Sequence, residues 1–421
     1  MPTSTVAPTR TPEPTPTSRA VPTPQPVVSS IATPAPTATP APTGVLPGLD
    51  VLMRDRADLL KGRRLGLVTN ATGRSRDGRS TIDVLHEEPS WRLVALFSPE
   101  HGIRGDAPAG QSVASSVDGN TGLPIYSLYG DTTRPTERML DGLDTLVFDI
   151  QDAGARTFTY PSTLLEVMRA AAQHGKSVVV LDRPNPIGGA QVDGNVLDPR
   201  FASFVGVAAI AMRHGLTIGE LGRLFNAELG IGADLTVVPL QGWRRAMWFD
   251  ETGLSWVNPS PNLRSLSAMA LYPGTVLFEG TSLSEGRGTA RPFEWIGAPW
   301  LDAAAWAEAL RARGLAGVRF AVSDQTPESS KFAGQLCHGV TIEIVDRLQL
   351  RPMELCVTMI AAARAIAGGR VQLAASTFDR LAGTDQLRKA IEAATSVEEI
   401  VAAWESDLQR YRARRERYLL Y

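Results

Sequence analysis

A carboxylic acid and an imidazole stand side by side at Glu100 and His101, enclosed by Pro99 and Gly102 and preceded by the apolar run Leu93-Val94-Ala95-Leu96-Phe97. The run reads as a buried strand. Proline and glycine then turn the chain out of the sheet, so both groups fall just past a strand's carboxyl end. In an open α/β sheet that edge is where ligands bind. An acid and an imidazole held there form a candidate acid/base centre. A loop glutamate placed between proline and histidine has no evident packing role.

Three more polar loops follow apolar runs of the same kind. They are Asn70-Ala71-Thr72-Gly73, the stretch from Asp149-Ile150-Gln151-Asp152 through Arg156 to Tyr160, and Asp182-Arg183-Pro184-Asn185-Pro186. Parallel topology brings all four loops to one edge. Candidate site residues there are Asn70, Glu100, His101, Arg104, Asp149, Gln151, Asp152, Arg156, Tyr160 and Asn185, with His214 further along the chain. Each has a plainer reading. Asp149 and Asp182 cap helices or bind loop amides, Asp152 and Arg156 form a structural ion pair, and Asn185 is a turn former. A second polar loop, Glu279 to Thr289, carries Glu279, Glu285 and Arg287 among flexible glycines, which suits an anionic, hydroxyl-rich ligand or a mobile surface hairpin. No His-x-x-x-His or paired-cysteine spacing marks a metal site. No Gly-x-Ser-x-Gly elbow marks a serine hydrolase. No metal and no cofactor are expected.

The elements that must carry these loops are legible as patterns. Strands are expected at 65–70, 91–97, 145–150 and 177–181, and a further one at 235–240. Helices are expected at 80–86 and 162–174, and from the capping box Thr217-x-x-Glu220 to about Glu228. Continuously apolar strands alternating with helices mean a parallel sheet covered on both faces. The fold class is therefore α/β, a Rossmann-like catalytic domain over 46–265. No Gly-x-Gly-x-x-Gly turn follows the first strand, so a dinucleotide is not a partner. Over 266–421, helices at 302–313 and 353–366 with strand-like 318–322 and 340–344 read as a smaller α+β domain. A last helix is expected from Ser396, with Ile400, Trp404, Leu408 and Tyr411 on its buried face.

Composition sets the remaining bounds. The chain has 421 residues, 43% of them hydrophobic, and a formal charge of -2, so a nucleic-acid partner is not expected. Cys337 and Cys356, the two cysteines, make neither a disulfide framework nor a zinc cluster. Residues 1–45, mostly Pro, Thr, Ser and Ala, cannot bury enough apolar surface to fold, and a disordered tail is expected there. Tracts of this kind join membrane anchors to exported domains. An extracytoplasmic protein is expected, although no apolar signal segment precedes the tract.

Taken together, several strings resemble one family, the NamZ-type exo-β-N-acetylmuramidases. They are Val68-Thr69-Asn70, Ser98-Pro99-Glu100-His101-Gly102, Asp149-Ile150-Gln151-Asp152 with Arg156 and Tyr160, and Asp182-Arg183-Pro184-Asn185-Pro186. Arg213-His214-Gly215-Leu216-Thr217, Glu279-Gly280-Thr281, Glu285-Gly286-Arg287-Gly288-Thr289 and the ending Arg417-Tyr418-Leu419-Leu420-Tyr421 complete the set. The resemblance runs from about residue 48 to the end. It implies a Rossmann-like catalytic domain, a C-terminal auxiliary domain and a site in the cleft between them. It also implies release of N-acetylmuramic acid from the non-reducing ends of peptidoglycan fragments. On that reading Glu100 is the general acid/base, with His101 and apolar walls raising its pKa. Asp152, Glu279 or Glu285 is the second group, or the substrate's own acetamido group takes that part. Arg287 or Arg156 meets the lactyl carboxylate, and Tyr160 meets a ring hydroxyl or the leaving oxygen. Two other readings compete: a non-catalytic cell-wall glycan-binding protein, and a metal-dependent hydrolase built on His101 and the loop aspartates.

Overall fold

A strand whose every residue is apolar must be covered on both faces, and the N-terminal domain is arranged around that requirement. The computed structural model describes residues 1–3, 44–105, 107–108 and 110–421; the expected disordered tail lies, apart from its ends, outside them. The strands are β1 (Arg64–Thr69), β2 (Arg92–Ser98), β3 (Ser116–Val117), β4 (Pro124–Ser127), β5 (Thr145–Asp149), β6 (Ser177–Leu181), β7 (Asp193–Val196), β8 (Ala211–Arg213) and β9 (Asp234–Val238). Among the described residues a seven-stranded sheet has the order β3-β4-β2-β1-β5-β6-β9. All its pairings are parallel except β3 with β4. Without β3 this is the doubly wound order, which reverses between β1 and β5. The loops after β1, β2, β5 and β6 thus share one edge, at the switch point.

Side-chain alternation supplies two cores. Val68, Phe97, Phe148, Val178 and Val180 face the helices Tyr160–Gln173 and Ile218–Glu228. Leu67, Leu96, Val147, Val179 and Leu181 face the other way, onto Leu49, Leu52 and Leu85. Gly66 interrupts β1 because a side chain there would collide with Phe97 and Leu143, at 2.7 and 2.8 Å from its first carbon. The capping box is present: Thr217 accepts from the Glu220 amide at 3.2 Å, and Glu220 accepts from the Thr217 amide at 3.0 Å.

A smaller C-terminal domain follows. Its antiparallel sheet is ordered β10-β12-β11, with β10 (Trp295–Ala298), β11 (Val318–Gln325) and β12 (Cys337–Ile344). The helices Leu266–Thr275, Ala303–Ala312 and Pro352–Ala367 pack with it. The core on one face of the parallel sheet continues into this domain through Tyr272, Phe278, Trp306 and Phe378. The single last helix expected from Ser396 is instead two, Val397–Ala402 and Glu405–Arg415. Ala403 and Trp404 between them keep helical dihedrals, so the spacing of Ile400, Trp404, Leu408 and Tyr411 stays in phase and all four are buried. Cys337 and Cys356 are buried and free.

The chain's end is stitched into the sheet. Tyr421 donates its hydroxyl to Asp182 at 2.8 Å and accepts from the Leu240 amide at 2.6 Å. Asp182 also accepts from Thr217 Oγ1 and the Gly219 amide, so it caps a helix and lies away from any opening. Burial, and then the charge of Glu220, lift its carboxyl from 3.8 to about 7. The folded state therefore holds a proton there that the unfolded chain has released. Stability from this group is full below about pH 4 and is lost as pH rises through about 7. Urea unfolding of the wild type is expected to lose stability between pH 4 and 7 relative to Asp182→Asn, which does not titrate. Parallel pH profiles for the two proteins would contradict the assignment.

Candidate active site

The turn after β2 delivers Glu100. His101 and Gly102 both adopt left-handed backbone, with φ of 69° and 78°, and the Gly102 amide closes on the Pro99 carbonyl at 3.0 Å. Histidine tolerates that conformation better than most residues. The Glu100 carboxylate is buried, 7% exposed, and is held from two directions. Thr159 Oγ1 donates to Oε2 at 2.6 Å, and the Gly110 amide donates to Oε1 at 2.8 Å. The Tyr129 hydroxyl shares the cleft wall with this carboxylate; burial and then the Glu100 charge push that hydroxyl up to about 12, so it stays protonated. The His101 ring does not contact these oxygens; its Nδ1 pairs with the Ala107 carbonyl at 2.7 Å and fastens the loop. The groups that hold the Glu100 carboxylate are thus Thr159 and the Gly110 amide, while the His101 ring holds the loop.

Glu100 and His101 line a cleft of about 700 Å³ whose walls come from both domains. The N-terminal side adds Tyr129, Thr157, Phe158, Thr159, Ser260 and Asn262; the C-terminal side adds Tyr272, Glu279, Arg287, Phe293, Ser330 and Arg380. Arg287 donates to Glu279 at 2.7 Å and lies 3.5 Å from Glu285, which also pairs with Lys331 at 3.1 Å. Its guanidinium sits over the Phe293 ring at 5.0 Å, and Phe293 meets Tyr272 edge-on at 4.9 Å. Burial pushes the Glu279 carboxyl above its ordinary range, with Arg287 pulling the other way. Burial, then the charge of Glu279, and more weakly that of Glu100, raise the Tyr272 hydroxyl, so this tyrosine feels both carboxylates.

The other expected site residues do share the sheet edge, but their polar atoms bond one another. Tyr160 is fully buried; its hydroxyl donates to the Pro259 carbonyl at 2.7 Å and accepts from Asn70 at 2.8 Å. It is a strut between two loops, not a cleft wall. Asp152 accepts from the Gly154 amide at 2.8 Å and lies 3.1 Å from His214, both side chains buried outside the cleft. Asp149 pairs with Arg183 and Thr81, Gln151 binds the Asp152 and Pro184 carbonyls, and Asn185 binds Leu216 and Ile187. Glu285 is buried behind Arg287. Arg104 is exposed and lines a separate recess of about 220 Å³ with Asp118 and Asn120. A shared metal site for His101, Asp149 and Asp152 does not assemble, because each is bound to a different partner.

Arg156 is the largest departure from expectation. It does not pair with Asp152, and its bonds go to four backbone carbonyls. Nη1 donates to the Asn195 and Ile210 carbonyls at 2.9 and 3.2 Å, and Nη2 to the Leu381 and Ala382 carbonyls at 3.3 and 2.6 Å. The last two close the helix Ala375–Ala382, whose free carbonyls favour a cation. The residues that pattern reasoning passed over are Tyr129, Thr159, Tyr272 and Arg380. Thr159 adjoins the quoted Tyr160, whereas Tyr129 and Arg380 carry no local signal. Arg156→Gln is expected to lower the unfolding free energy by about 3 kcal/mol or more, because it strands buried carbonyls. Urea unfolding at unchanged free energy would contradict this.

Comparison with known proteins covers nearly the whole folded chain. Residues 65–267 match the family model described as the N-terminal domain of exo-beta-N-acetylmuramidase NamZ, and residues 270–421 match the model of its C-terminal domain. A Bacillus subtilis (strain 168) protein, peptidoglycan beta-N-acetylmuramidase NamZ, is 46% identical over 378 residues, 90% of this chain and 91% of its own. Two crystal structures of DUF1343 family proteins from Bacteroides fragilis NCTC 9343 superpose on 90% of the chain. One has a TM-score of 0.84 and 36% identity over 100% of its length, the other 0.72 and 33% over 99%.

Proposed function

The chain belongs to the NamZ family of exo-β-N-acetylmuramidases and is a glycosidase, and from that premise we propose that Glu100 is the general acid/base that releases N-acetylmuramic acid from the non-reducing ends of peptidoglycan fragments. One observation carries the reading. Glu100 is held by two donors on the wall of a sugar-sized cleft that both domains line.

Glycoside cleavage needs a proton at the leaving oxygen and negative charge near the oxocarbenium-like carbon. In the first step the Glu100 carboxyl gives its proton to the glycosidic oxygen as the bond to the anomeric carbon breaks. The resulting carboxylate is received by Thr159 and the Gly110 amide, which already donate to it. It then takes a proton from the water that attacks the anomeric carbon. Of the carboxyl groups first considered for the second role, Glu279 faces the cleft, whereas Asp152 and Glu285 are engaged elsewhere. Glu279, steadied by Arg287, is assigned to stabilise the positive charge. Phe158, Tyr272 and Phe293 supply the apolar surface that a pyranose ring packs against. The Pro/Thr-rich N-terminal tract supports an extracytoplasmic setting, with a role in cell-wall recycling.

Glu100→Gln keeps the shape and the hydrogen-bond acceptor but has no proton to give. It is expected to lower kcat on a chromogenic β-N-acetylmuraminide by roughly 10³-fold, with the thermal midpoint little changed. Retention of wild-type turnover would end the assignment.

A further inference from the structure

The cleft carries two carboxylates, Glu100 and Glu279, and two guanidinium groups, Arg287 and Arg380. Arg287 is already committed. It pairs with Glu279 and Glu285 and lies on Phe293. Arg380 differs. It is exposed, and among the described residues no carboxylate pairs with it. The adjacent Asp379 is taken by Arg388 at 3.0 Å. Arg380 lines the same cleft as Glu100 and Tyr129, and its charge offsets part of the rise of the Tyr129 hydroxyl.

N-acetylmuramic acid differs from N-acetylglucosamine by a lactyl ether that ends in a carboxylate. A cleft wall that carries the Glu279 carboxylate disfavours such a group unless an uncommitted cation receives it. A guanidinium accommodates a carboxylate with two parallel hydrogen bonds, which gives geometry as well as attraction. We infer that Arg380 is the specificity-determining residue that receives the lactyl carboxylate, while Arg287 serves to hold Glu279. The inference rests on the glycosidase reading above and adds the group that tells one amino sugar from the other.

The fold presents Arg380 from a fixed support. It lies in the last turn of the helix Ala375–Ala382, whose closing carbonyls, Leu381 and Ala382, are bound by Arg156 of the N-terminal domain. Asn195 adds a bond to Ala382 at 2.7 Å, and the Asp198 amide binds the Gly383 carbonyl at 2.9 Å. The helix end that carries Arg380 is thereby fixed to the same domain that carries Glu100. A recognition group held by backbone anchors loses little freedom on binding.

The test is calorimetric binding of N-acetylmuramic acid and of N-acetylglucosamine to the full chain, as wild type, Arg380→Ala and Arg380→Lys. The ratio of the two affinities is expected to fall about tenfold or more in Arg380→Ala and to return in part in Arg380→Lys. Thermal unfolding confirms that each variant is folded. An unchanged ratio in Arg380→Ala, or a wild type that prefers neither sugar, overturns the inference. In both cases continued release of muramic acid by the wild type leaves the assignment of Glu100 standing. Absence of that release removes the proposed function and this inference with it.

Discussion

Glu100 is fixed by donors that arrive from two places in the chain, Thr159 after β5 and Gly110 in the far part of its own loop, and the Tyr129 hydroxyl from beyond β4 shares its cleft wall. A buried carboxylate needs such partners, because an unpaired charge away from water is expensive. The need constrains much of the domain. It requires the β2 turn to pass through two left-handed residues, and it requires the start of the helix Tyr160–Gln173 to reach the same edge. The switch point between β1 and β5 is where those demands can be met at once.

The polar residues that crowd this edge divide into those that face outward and those that brace the loops from within. The Asp149–Arg183, Asp152–His214 and Asn70–Tyr160 pairs belong to the bracing set. They satisfy buried groups and leave Glu100 and His101 on the cleft wall. Without them the loops would carry unpaired polar atoms, each costing about 1–3 kcal/mol. Arg156 extends the bracing across the domain boundary, since its fork joins carbonyls near β7 and β8 to the end of a C-terminal helix. The two walls of the cleft are therefore tied by a buried cation and not by packing alone.

The parallel sheet, its helices and the capping box are readable from pattern, because strand burial and helix capping leave marks within a few residues. Glu100 is readable for the same reason, since proline and glycine announce its loop. Which way a loop side chain turns is decided by partners distant in sequence. Tyr160 and Asp152 therefore look as exposed to chemistry as Glu100 until their bonds to Pro259 and His214 are seen. Arg156 looks like a ligand residue until it is found under a helix that begins 219 positions later, at Ala375. Tyr129 and Arg380 are invisible for the converse reason, as neither stands in a motif; the pairing of β4 with β2 brings the first to the cleft, and the packing of the C-terminal domain brings the second.

The central claim is a placement: the scissile bond of a muramic acid glycoside lies against Glu100, between the two domains. A crystal structure of Glu100→Gln bound to an uncleaved aryl β-N-acetylmuraminide measures that placement directly. The residue-100 carboxamide is expected within hydrogen-bond reach of the glycosidic oxygen, with the sugar ring beside Tyr272 and Glu279. A glycoside seated in the recess beside Arg104 and Asp118, with residue 100 out of reach, would contradict it.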